Sequence, residues 1–137
     1  MIIKKNVNKY LFIYLTGHLL IWTLIPTVVN TNLPLDTIEA LAWGSDLKWG
    51  FEKHPPMSGL MVEIIFQLFG NNDWAFYLLS QIFLIFTFLI VWKFSNEIFR
   101  DKTLSLISVL MLSGFFFYNY TTPEFNAVSY THLRAHE

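Results

Sequence analysis

LDTIEALAWGSDLKWGFEKHPP, residues Leu35–Pro56, is a long polar interval in a chain that is otherwise apolar near its start. It holds Asp36, Glu39, Asp46, Lys48, Glu52, Lys53 and His54. Before it, Tyr10–Val29 contains no charged residue, and after it Trp74–Trp92 contains none. Each is close to the ~20 residues that a helix needs to cross a hydrocarbon core. The interval therefore reads as a loop held at a membrane surface, and its charges as the chain's main store of chemistry.

Composition supports a membrane protein. Of the 137 residues, 54% are hydrophobic, 18% aromatic and only 14% charged. A soluble domain carries about 25% charged residues. The net charge of -1 offers no basic surface for nucleic acid. Cysteine is absent, which excludes disulfides, thiolate metal sites and cysteine nucleophiles.

Lys4, Lys5 and Lys9 precede the first apolar run. This excess of lysine places the N-terminus in the cytoplasm. The run is too long for a signal-peptide core and lacks a small-residue cleavage site, so it reads as an uncleaved span over residues 10–29. Pro26 is expected to kink its last turn. His18 has two readings, a buried functional group or a hydrogen-bonded packing residue.

After Asn30–Pro34 a helical pattern begins. Leu35, Ile38, Leu41 and Ala42 mark one apolar side. Asp36, Glu39, Trp43 and Asp46 recur at helical spacing on another, aligning three carboxylates. This predicts an amphipathic helix lying in the interface, limited by Gly44 and Gly50 and stopped by Pro55-Pro56. Met57–Phe69 is apolar but too short to span and carries Glu63, which predicts a second interfacial or re-entrant helix. Gly70-Asn71-Asn72-Asp73 is a turn, with Asp73 the expected N-cap of the next helix.

Trp74–Trp92 is the second span, with tryptophan at each end as in an aromatic belt. Lys93, Arg100 and Lys102 follow and return the chain to the cytoplasm. Residues 104–120 form the expected third span. The outer face then receives both the 30–73 loop and Thr121-Thr122-Pro123-Glu124-Phe125-Asn126. The last residues, VSYTHLRAHE, break the pattern. His132 and His136 have metal-chelating spacing without a third ligand, and residues 128–137 read as a foreign tail on an N-terminal fragment.

At D-x-x-E-A-L-A-W (Asp36–Trp43), F-E-K-H-P-P (Phe51–Pro56) and P-E-F-N-A (Pro123–Ala127), the sequence resembles the bacterial dolichyl-phosphate-mannose–protein mannosyltransferase-like family. That family includes the lipid A aminoarabinose transferases and belongs to the GT-C glycosyltransferases. The likeness runs from Lys9 to Ala127. It implies an all-α, polytopic transmembrane helix bundle with interfacial amphipathic helices in its first outer loop. It also implies an inverting transferase in the bacterial inner membrane, with its active loop on the periplasmic side and a polyprenyl-phosphate-linked sugar as donor.

Under that resemblance Asp36 is the candidate general base or acceptor-orienting group, Glu39 a supporting carboxylate and Glu124 a second acid from the later outer loop. Lys53 is the candidate partner of the lipid phosphate, as a point charge, and His54 stands inserted in the commoner E-K-P-P pattern. Cationic groups or a divalent metal are expected near the leaving phosphate. Each residue also has a plainer reading. Asp36 suits a helix N-terminus, and Lys53 suits snorkelling to lipid headgroups. Trp43 and Trp49 read as interfacial anchors, and Asp46 and Lys48 as a solvated face. The competing function is a non-enzymatic membrane protein such as a transporter subunit. A transporter would carry its polar groups at mid-membrane depth in broken helices, whereas here the charges gather in outer loops.

Overall fold

The computed structural model describes residues 6–46 and 56–123. These residues form five helices: α1 (Val7–Val29), α2 (Leu35–Gly44), α3 (Pro56–Phe69), α4 (Asp73–Phe99) and α5 (Lys102–Ser113). A single 3₁₀ turn, Phe116–Tyr118, follows α5. Among the described residues there is no strand. Two helices, α1 and α4, are long and apolar enough to cross a membrane.

The central helix is α4, which packs against α5, α1 and α3. One stripe, Phe76, Tyr77, Ser80, Gln81, Leu84 and Phe88, is buried. As far as Trp92 the rest of its surface is also largely apolar, with Phe86 and Ile90 exposed. A helix apolar all round belongs in a core or in lipid. On α1, Val7, Leu11, Leu15, His18 and Pro26 are buried along one face, while Phe12, Ile21, Leu24 and Val28 point away from the other helices.

Two clusters divide the interior along α4. Leu84 and Phe88 meet Val7, Leu11 and Leu15 of α1 and Leu106 and Val109 of α5. Nearer the start of α4, Phe76 and Leu79 meet Ala40 of α2 and Val62 of α3. The α2–α3 hairpin is thus docked on the N-terminal end of α4.

Local chemistry explains the breaks. Gly70 closes α3 at a φ of 66°, in the left-handed region, and its N–H donates to the Phe66 carbonyl at 2.7 Å. Arg100 closes α4 in the same region at a φ of 50°. Asp101 then caps α5, its Oδ1 accepting from the Thr103 N–H at 2.7 Å. Asp73 does not cap α4: the N-cap is Asn72, and Asp73 lies in the first turn, where its charge complements the helix dipole. The Asn72 side chain instead donates to the Phe69 carbonyl at 2.6 Å.

Residues 104–120 do not form one continuous helix. α5 stops at Ser113, and the chain turns through Gly114 into the 3₁₀ segment. Asn119 explains the stop: its side-chain amide donates to the Ser113 and Phe115 carbonyls. The Ser113 carbonyl is one of those left open where a helix ends. Phe115, Phe116 and Phe117 add χ1 crowding that disfavours continuing the helix. The 3₁₀ turn packs back at the level of the helix middles, with Tyr118 and Phe88 ring centroids 6.0 Å apart.

Candidate active site

α2 begins directly after Pro34, whose carbonyl accepts from the Thr37 and Ile38 N–H groups. Asp36 lies in its first turn and Glu39 one turn later, both half-buried. The helix is only ten residues long. Asp46 therefore falls in the turn beyond it, exposed, and does not extend the carboxylate stripe.

The buried face of α2 differs from the apolar side that the sequence suggests. Thr37, Ala40 and Gly44 are buried, whereas Leu35 is 77% and Ile38 46% exposed. Small residues decide this packing. Gly44 and Gly59 face each other across α2 and α3, and a Cβ on Gly59 would stand 3.2 Å from the Gly44 nitrogen. In lipid a leucine gains little by being inside, while small residues let two backbones approach closely. This contact turns Asp36 and Glu39 away from the fully buried seam.

Glu63, at the middle of α3, stands beside Gly44, and its Oε1 accepts from the Gln67 amide at 2.7 Å. His18 is a packing residue of the α1–α4 interface. Its ring meets Phe88 edge-on at 5.4 Å, and its Nδ1 lies 3.5 Å from the Tyr14 hydroxyl.

Two side chains one turn apart on α4 reach the loops on either side of it. The Tyr77 hydroxyl accepts from the Asn30 amide at 3.1 Å. Gln81 donates through Nε2 to the Thr122 hydroxyl at 3.3 Å. Asn30 leads into the segment that carries Asp36, and Thr122 precedes Glu124 by two residues. Sequence reasoning missed both tethers. The available signal was the pair Tyr77 and Gln81, spaced i, i+4 in an apolar span where polar groups face protein.

The candidates Lys53, His54 and Glu124 lie outside the described residues, as do Lys48, Trp49, the 128–137 tail and its two histidines. Among the described residues no group of three or more His, Asp or Glu side chains is placed to hold a metal ion. The result is a carboxylate-bearing helix held by close backbone contact to α3 and packed through Ala40 against Phe76 and Leu79 of α4, on the N-terminal half of α4 where Tyr77 and Gln81 tether both loops.

Comparison with curated proteins and with solved structures found no match. A family model, dolichyl-phosphate-mannose-protein mannosyltransferase, matches residues 53–133. The match begins at Lys53 and takes in α3, α4, α5 and the Thr122–Glu124 segment, whereas Asp36 and Glu39 precede it. It spans more than half of the chain, which thus belongs to the dolichyl-phosphate-mannose-protein mannosyltransferase family of membrane glycosyltransferases.

Proposed function

We propose that this chain forms part of an inverting glycosyltransferase that moves a sugar from a polyprenyl-phosphate donor to a lipid, glycan or protein acceptor. α1 and α4 cross the membrane, and the α2–α3 hairpin lies on the outer, periplasmic side of a bacterial inner membrane. The observation that carries this reading is the docking of the hairpin on the first turns of α4. Through Ala40 the hairpin sets the helix that carries the half-buried Asp36 and Glu39 against the N-terminal half of α4, the half whose Tyr77 and Gln81 bond Asn30 and Thr122.

In this reading the acceptor hydroxyl attacks the anomeric carbon of the donor. The anomeric C–O bond breaks with its electron pair going to the polyprenyl phosphate. Asp36 takes the hydroxyl proton, and Glu39 orients the acceptor beside it. Lys53, at the start of the family match, faces the charge that develops on the leaving phosphate. Glu124 approaches from the later outer loop as a second acid, and His54 flanks Lys53.

Transfer is tested in membranes carrying the full-length protein, with polyprenyl phosphate mannose as the donor probe. Donor-dependent release of polyprenyl phosphate, with inversion at the anomeric carbon of the product, is the expected result. Release with retained configuration, or none in membranes where the protein is inserted, would overturn the reading.

A further inference from the structure

Gln81 has no exposed surface, lies two turns inside α4 and is surrounded by apolar helix. A buried amide in such a place is costly unless its hydrogen bonds are made. Only one side of it is used. Nε2 donates to the Thr122 hydroxyl, while Oε1 has no partner among the described residues. Leucine or methionine would fill the same volume without that cost.

Thr122 is placed to receive the bond. Its hydroxyl donates to the Asn119 carbonyl at 2.9 Å and keeps a lone pair for Gln81. The Asn119 side-chain amide in turn donates to the Ser113 carbonyl at the end of α5. A continuous line of hydrogen bonds thus runs from α4 through Thr122 and Asn119 to α5. Pro123, the next residue, is buried. Irregular backbone packed this deep against a spanning helix is tolerated where protein satisfies it.

We propose that Gln81 is a positioning residue, which ties the Thr122-Pro123 segment to α4 and so holds in place the chain that leads, in sequence, into the proposed site carboxylate. Its bearing on catalysis rests on the reading of Glu124 as a site carboxylate. The tether itself does not depend on that reading.

The chain has no cysteine, so a single spin label at Thr121→Cys reports on the segment. In the otherwise unchanged full-length protein the label should be strongly immobilised. Gln81→Met should narrow its spectrum, and Thr122→Val should do the same from the other side of the bond. The double variant should loosen the segment no more than either change alone. Thr122→Ser, which keeps the hydroxyl, should restore the immobilised spectrum. A control label at the exposed Leu104 reports whether the fold survives. An unchanged spectrum at position 121 in both Gln81→Met and Thr122→Val would overturn the tether.

With polyprenyl phosphate mannose as donor, Gln81→Met should lower kcat by about 3- to 10-fold, the worth of one hydrogen bond, with the donor KM unchanged. A loosened label with unchanged kcat would leave the tether standing and remove Glu124 from the chemistry.

Discussion

Gly44 and Gly59 hold α2 against α3 with no side chain between them: a Cβ on Gly44 would stand 2.5 Å from the Gly59 carbonyl oxygen and 2.9 Å from the Glu63 Cβ. Neither neighbour is the free end of a flexible chain, so the helices must part to admit one. Gly44→Val should cost about 1–3 kcal/mol of overpacking. Amide exchange across α2 should accelerate by roughly tenfold or more. Gly17→Ala is the control, because nothing lies within 4 Å of that position. Unchanged exchange in Gly44→Val would show that the hairpin does not depend on this contact.

The topology is tested by labelling. Ser45 is exposed just past α2, and Glu97 is exposed near the end of α4. Ser95 is buried and unsuitable. With Ser45→Cys and Glu97→Cys made separately, an impermeant maleimide should label position 45 from outside in intact cells. Position 97 should react only after the membrane is opened. Labelling of position 97 from outside would require a different number of crossings.

Phe88 has no exposed surface and joins α1, α4 and the 3₁₀ turn through His18, Tyr14 and Tyr118. Phe88→Ala should therefore destabilise the bundle by about 3–5 kcal/mol, the range for deleting a buried ring. Its thermal midpoint in detergent should fall clearly. The exposed Phe86→Ala should leave it near that of the parent. Equal midpoints for the two variants would place Phe88 outside the core.

What the sequence made legible follows from how strong each physical signal is. The charge-free runs at 10–29 and 74–92 lie inside α1 and α4, because long apolar stretches leave few alternatives to a helix. α4 continues to Phe99 because Lys93, Asn96 and Glu97 form a polar surface on the same helix, which hydropathy does not register. The break after Ser113 was not legible. It depends on the Asn119 side chain returning to α5, a contact that periodicity does not encode. The buried face of α2 was misread for a related reason. Hydrophobicity points to Leu35 and Ile38, but close packing selects Thr37, Ala40 and Gly44. Asp36 and Glu39 were found as site candidates from the family-like motif. The Gln81 tether was not, since its partner lies far along the chain.

If Asp36 is the base of the proposed glycosyl transfer, Asp36→Asn should remove that function and little else. Asparagine keeps the shape and the hydrogen-bonding capacity but removes the basicity. In the full-length protein, with polyprenyl phosphate mannose as donor, turnover should fall by about 10²–10⁴-fold. Donor KM should change little, because the proton transfer is felt in the transition state. Were Asp36 only a residue of the α2 N-terminus, asparagine would serve nearly as well there. Full turnover in Asp36→Asn, at normal expression and insertion, would contradict the account.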